Sequence, residues 1–457
     1  MGASVPRPQC VVTNSTCIDT GTSAMMCSPS PCSTGRQASF PPDGLWAEIV
    51  NSPLPLSAQD KVFTLSHNLQ LFARLQGNID MTPAQLNAQP LSNPDMYDAY
   101  AERMQMRGEF VHALAQSRRI VKELNAHELN LSQEQLEALK TYLNRRLLEA
   151  APYYTQMANL NLLAGDQKAW TRTCNLTSLS MSLEALGVGP DSFTGNGVRL
   201  QRIADTLEIW RYKNYDKKDR GVGAYCVSDV TTMRLPDLLQ FVAVYAVCDI
   251  QVDDLRGDAY LKKIQQARDE AARKVITYEM LTKIAGLFGV KCSKVLSIHS
   301  YGESEIGFEK NIAQLDKKMA ELSKNMPATM SDGFNQGDRN LSDYYKAKGE
   351  ELDQKSKLAD LKQQYSQPGK MDEAIKTYHD QILKRIAPEL DRGNQVFLHK
   401  PGVKSGHYMK LHNLQPTPID GIGVFIDDPW SPGKRAQLTW RDAHKQGYFD
   451  SYMILSR

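Results

Sequence analysis

Three residues far apart in the chain have the types and settings that nucleophilic catalysis needs. Cys174 opens "TCNLTSLSMSLEALG" (residues 173–187), in which Leu176, Leu179, Leu183 and Leu186 recur at helical spacing and Gly187 stands where a C-terminal cap belongs. The pattern predicts a helix with Cys174 at or near its first turn. There the unpaired N–H groups and the helix dipole favour an anion, a setting that suits a thiolate. In "GHYMKLHNL", strand alternation puts His407, Met409 and Leu411 on one face and Tyr408, Lys410 and His412 on the other. In "VFIDDP", Val424, Ile426 and Asp428 share a face opposite Phe425 and Asp427.

If these two runs form a hairpin turning within "QPTPIDG", the midpoint between positions 407 and 428 falls inside the turn, and His407 and Asp428 become cross-strand neighbours. Asp428 would then hold the imidazole in position and tautomer while its other nitrogen takes the proton of Cys174. The competing reading makes His407 a sheet histidine with its hydrogen bonds filled and Asp428 an ordinary turn residue before Pro429. Of the two aspartates, Asp427 points the other way and is expected to be structural or exposed.

The elements that must carry these residues follow from the pattern along the chain. Residues 1–45 are rich in Ser, Thr, Pro, Cys and Gly and read as an irregular head. Residues 46–163 read as a helical domain, including "SQEQLEALKTYLNRRLLEAAPYYTQMANLNLL", which opens on a Ser-x-x-Gln capping box. Residues 164–198 hold the Cys174 helix. Residues 199–393 are again mostly helical, with "LLQFVAVYAV" as a buried helix and the polar "MSDGFNQGDRNLSD" as a loop. From 394 to 457 the runs "QVFLHK", "GHYMKLHNL", "GIGVFIDDPW", "RAQLTW" and "YFDSYMILSR" are short, β-rich and separated by turn residues. The expected class is α+β: helices on a C-terminal antiparallel sheet.

Composition narrows the function. Lys plus Arg number 54 against 52 Asp plus Glu, a balance that gives no support for a nucleic-acid binder. The first residues lack the basic-then-apolar pattern of a secretory signal, and Pro6 breaks a myristoylation motif after Gly2. The longest apolar run is too short for a membrane span. Cys10, Cys17, Cys27 and Cys32 crowd the head at spacings that match no standard zinc pattern, while Cys226, Cys248 and Cys292 read as small buried hydrophobes. His399 and His412 do not pair with His407 as metal ligands. "FTGNGVRL" is no phosphate loop, and "GFNQGDRNLSD" lacks the terminal Glu of a calcium loop.

Taken together, "TCNLTSLSMSLEALG" and the later "GHYMKLHNL…VFIDDPW" resemble the bacteriocin-processing (double-glycine) peptidase-like branch of the papain-like cysteine peptidases. The resemblance covers about residues 165–198 and 394–457. It implies a papain-like core with Cys174 as nucleophile, His407 as general base and acid, Asp428 as orienting carboxylate and Gln167, seven residues before the cysteine, as an oxyanion donor. The helices between would be an insertion. The implied activity is hydrolysis of a peptide or amide bond through a thioester, without a cofactor. The signal-less chain with a Cys-rich head also resembles bacterial effector toxins delivered by specialised secretion machines. On that analogy the substrate is a cell-wall (peptidoglycan) peptide or a target protein, and secretion-machinery or immunity proteins would be partners. Two other readings are an inactive helical scaffold on the same fold and an acyltransferase using the same triad.

Overall fold

The computed structural model describes residues 42–75, 94–156, 159, 162–163, 173–213, 230, 233–248, 257–275, 277–324, 334–400, 402, 406–430 and 435–457. All of these fall within one compact unit, Phe40–Arg457. Gln167, the four cysteines of the head and Cys226 lie outside the described residues.

Helices α1 (Pro42–Asn51), α2 (Leu56–Leu75), α3 (Pro94–Glu123), α4 (Ala126–Leu129) and α5 (Gln133–Glu149) come first, so the head as read from sequence gives up its last residues to α1. They share a core of their own that includes Leu65, Phe110, Leu139 and Leu143. The capping box at Ser132 forms with Gln135 as the sequence indicates. The helix it opens does not run to residue 163, as expected, but stops at Glu149. Pro152 lies just beyond, and the residue before a proline is disfavoured in helical conformation.

Next come α6 (Cys174–Ala185), α7 (Gly197–Lys213), α8 (Leu235–Val247), α9 (Gly257–Lys274), α10 (Tyr278–Gly286), β1 (Lys291–Cys292), α11 (Tyr301–Lys324), α12 (Phe334–Ser366), α13 (Lys370–Arg385) and α14 (Ala387–Asp391). The chain closes with β2 (Gln395–Lys400), β3 (His407–Leu414), β4 (Ile422–Asp427), β5 (Ala436–Thr439), α15 (Trp440–Gln446) and β6 (Tyr452–Ser456). The class is α+β, with one antiparallel sheet in the order β1-β6-β2-β3-β4-β5.

Both faces of the sheet are covered. Phe397, Tyr408, Met453 and Leu455 join Leu179, Leu183, Phe241, Ile264 and Leu281 in a core that contains α6, α8, α9 and α10. Val396, Leu398, Met409, Leu411 and Ile426 face Ile375, Tyr378, Ile382 and Trp440 on the other side. Double coverage explains why β2 and β3 are buried at nearly every position.

Two other expectations change. The stretch "MSDGFNQGDRNLSD", read as a loop, belongs from Phe334 onward to α12. It lacks apolar periodicity because α11 and α12 lean mainly on each other, joined by the Tyr301–Tyr365 ring contact, the Lys362–Glu305 ion pair and an Asn311–Gln354 hydrogen bond. The run "RAQLTW" is a strand only to Thr439, whose hydroxyl caps α15 by accepting from the N–H of Asp442. The helices of residues 199–393 share the sheet's core, and β1 extends its edge. "LLQFVAVYAV" is a buried helix, as expected, and no helix among the described residues is long and apolar enough to cross a membrane.

Candidate active site

Helix α6 begins at Cys174, and all twelve of its residues are buried. The leucine stripe alone does not account for this, since Thr177, Ser178, Ser180 and Ser182 are buried too. Three of these hydroxyls donate to carbonyls of their own helix: Thr177 to Thr173, Ser180 to Leu176 and Ser182 to Ser178. That gives each donor an acceptor within the helix, Thr177 Oγ1 also accepts from Asn159 Nδ2 at 2.6 Å, and the small size of these side chains lets the helix lie close to the sheet. Ser178 also donates to the carbonyl of Tyr408 at 3.0 Å, tying α6 to β3. At the far end Gly187 takes φ +72°, and its N–H and that of Val188 satisfy the carbonyls of Glu184 and Leu183.

His407 is the first residue of β3, Asp428 the first after β4. The hairpin turns within "QPTPIDG", but its register pairs Lys410 with Asp427 and Leu411 with Ile426, shifted by two from the sequence midpoint. Continued one step, the ladder would set Asp428 opposite Met409, so Asp428 reaches His407 diagonally rather than directly. The diagonal distance is within reach of these side chains. His407 Nε2 and Asp428 Oδ1 lie 2.6 Å apart, and the same oxygen accepts the N–H of Trp430 at 2.8 Å. By alternation His407 shares a side with Met409, away from the Tyr408 side that faces α6. It nevertheless lies close enough to Cys174 for the sulfur to raise its pKa. Both residues open their elements, so they meet at the end of the sheet rather than across its face.

The charges follow from these contacts. Burial works against a charged imidazole, but the hydrogen bond to Asp428 and the influence of the neighbouring Cys174 outweigh it and push His407 up to about 9. Burial would raise Asp428; the hydrogen bond and charge of His407 and the N–H of Trp430 instead hold it below the usual carboxylate range. With Nε2 occupied by the carboxylate, Nδ1 is left for the sulfur.

The turn carrying Asp428 is held from below by the irregular segment after α5. Tyr153 donates its hydroxyl to the carbonyl of Asp428 at 2.5 Å, and Gln156 N–H donates to that of Pro429 at 2.9 Å. Sequence reading assigned this segment to a helix and missed its role; Pro152 was the available signal. It also missed what Asp427 does. Asp427 is not exposed but fully buried, accepting from Lys410 Nζ and Arg435 Nε, each at 2.8 Å. His412 Nδ1 stands 3.4 Å from it without hydrogen-bond geometry. The attraction of Lys410 and neighbouring cations overcomes burial and holds Asp427 well below the carboxylate range. The alternating Lys410 and Asp427, read as facing away from His407, therefore form a buried ion pair under the site.

On the α6 side of the sheet, His399 stacks on Tyr408 at 4.4 Å between ring centres, and Tyr278 meets Tyr408 edge-on at 5.8 Å. Burial lowers His399 to about 4, and likewise His444, whose ring packs on Tyr378. Both stay neutral when folded, whereas the unfolded chain takes up their protons below about 6.5. Stability is therefore expected to fall as pH drops from 6.5 towards 4. His407 acts in the opposite sense: its contribution is complete below 6.5 and is lost as pH rises towards 9. Melting temperatures measured across this range should show the acid loss, and it should be smaller in His444→Phe.

Among the described residues no group of His, Cys, Asp and Glu side chains could hold a metal ion. Of the other cysteines, Cys248 is buried and Cys292 half-buried on β1, with burial pushing the Cys292 thiol up to about 11. Comparison of the chain with protein-family models, curated proteins and solved structures finds no match in any of the three.

Proposed function

We propose that the chain is a cysteine-dependent hydrolase that cuts a peptide or amide bond, with the papain-like arrangement that its motifs resemble. The observation that carries this reading is His407 held between Asp428 and Cys174, with the cysteine at a helix N-terminus. A structural sheet histidine needs neither a thiol on one side nor a carboxylate 2.6 Å away on the other.

In this mechanism the Cys174 sulfur attacks the substrate carbonyl carbon and its proton resides on His407. The N–H of Cys174, which has no intrahelical acceptor, helps hold the oxyanion. His407 then gives its proton to the leaving amine as the C–N bond breaks, leaving a thioester on Cys174. It next takes a proton from water, whose oxygen attacks the thioester carbonyl, and returns that proton to the departing sulfur. Asp428 keeps the imidazole oriented and stabilises its charged form. Gln167 is the proposed side-chain oxyanion donor. A cell-wall peptide or a target protein, reached after export as an effector, is the proposed substrate, carried by the motif resemblance alone.

Iodoacetamide labelling at mildly acidic pH, read by peptide mass spectrometry, tests the reading. Cys174 stands at a helix N-terminus beside His407, which stays protonated up to about 9, whereas burial raises Cys292 to about 11, so Cys174 should be alkylated well before Cys292. Equal labelling of the two would end the proposal. Turnover should decline on the alkaline side as His407 loses its proton, near pH 9, and Asp428→Asn should move that decline to lower pH.

A further inference from the structure

We propose that the cavity bounded by α3, α5, the α14–β2 turn and the C-terminal end of α6 binds a small, multiply charged anion, an oligophosphate or a polycarboxylate. The site is separate from the Cys174–His407–Asp428 cluster and does not depend on the hydrolase reading. The cavity measures about 400 Å³, and Arg118, Arg119, Lys122, Arg392 and Arg457 line it while no Asp or Glu does. That volume lies in the range of small-ligand pockets.

Arg118 is the decisive residue. It is 8% exposed, and its Nη1 donates to the carbonyl of Gly393 at 2.8 Å. Its Nε and Nη2 are buried and find no partner among the described residues. An arginine retained for packing is expected to have its donors filled, because a buried donor without an acceptor is destabilising and a buried charge without a counter-charge more so. Burial alone lowers Arg118 to about 10, which shows how little compensating charge surrounds it. The nearby acids are committed to the outer arms: Glu123 lies 3.8 Å from Arg119, and Glu389 lies 3.0 Å from Arg392. Lys122 donates to a main-chain oxygen of Arg457 at 3.1 Å.

The surrounding backbone is built to the same end. Gly393 has φ +82°, and a Cβ there would come within 2.6 Å of Arg118 Nη1. Only glycine lets the guanidinium rest on that carbonyl with its other edge left over. A planar guanidinium presents paired donors that match phosphate or carboxylate oxygens, and the outer cations add charge around the rim. Arg118 and Lys122, with the rim arginines beside them, call for an anion of more than one charge, and a volume of about 400 Å³ calls for a compact one.

The test is isothermal titration calorimetry of the full chain with sodium triphosphate and with citrate, using acetate as the monovalent control. Triphosphate or citrate should bind with a dissociation constant on the order of 10 μM, weakened by added salt, and acetate should not. Whichever of the two binds more tightly identifies phosphoryl or carboxylate chemistry. Arg119→Gln combined with Arg392→Gln changes exposed side chains only and should weaken binding roughly tenfold with the melting temperature unchanged. Arg118→Met should abolish binding and melt no lower than the parent, since it removes an uncompensated buried charge. Binding no tighter than acetate for both anions, or binding that survives Arg118→Met, would overturn the proposal.

Discussion

Cys174→Ala is expected to remove turnover by a factor on the order of 10⁵ or more while the protein stays folded. The sulfur is the atom that forms the thioester in the proposed reaction, and neither water nor a neighbouring residue can take its place at the start of α6. The structural cost is small: the change deletes one atom from a side chain that is 9% exposed, and alanine is the best helix former. Stability should shift by no more than about 1 kcal/mol. Cys174→Ser should be nearly as inactive, because a hydroxyl is far less readily deprotonated by a base suited to a thiol. The measurement is release of amine from a peptide substrate or, before one is known, of the chromophore from an activated amide. Circular dichroism and a melting curve should accompany it. Residual activity near the parent level in folded Cys174→Ala would rule out the triad.

The two adjacent aspartates should fail in different ways. Asp428→Ala leaves His407 without its 2.6 Å partner, and turnover should fall by roughly 10²–10⁴ with the fold intact. Asp427→Ala leaves Lys410, itself fully buried, without its carboxylate and deprives Arg435 of its acceptor. Breaking a buried pair from one side costs about 3–5 kcal/mol, so this variant should melt far below the parent. Loss of activity in Asp427→Ala should follow loss of the folded protein. Melting curves separate the cases. A stable Asp427→Ala protein, or an active Asp428→Ala protein, would show that the roles are exchanged.

The choice between these aspartates was already legible in "VFIDDP". A strand alternates regardless of its neighbours, so Asp428 had to share a side with Ile426, and Pro429 held it extended. The α6 helix was legible for a similar reason. Leucines at helical spacing and a glycine after them are local signals, and local signals survive any tertiary arrangement. The terminal strands, the Ser132 capping box and the buried helix near residue 240 belong to the same group. One boundary erred where a tertiary partner took over, at Phe334, where a helix with little apolar periodicity is sustained by α11 beside it; others, as at Glu149, erred where a local signal such as Pro152 was passed over.

What the sequence could not determine is everything set by register, burial or distance in space. The two-residue shift of the β3–β4 ladder is set by where the chain turns and by a one-residue bulge between Leu411 and Asn413, which no count of turn residues reveals. The burial of Asp427 depends on helices covering the second face of the sheet, so a position that alternation marks only as facing away became the centre of an ion cluster. Arg118, one arginine among many in the sequence, stands apart because folding buries it with one hydrogen bond made and two nitrogens that find no partner among the described residues. Periodicity is a property of neighbouring residues and can be read along the chain. Desolvation and pairing are properties of neighbours in space, and for Cys174, His407 and Asp428 it was the meeting of a helix start with a strand start, more than two hundred residues apart, that made the candidate site.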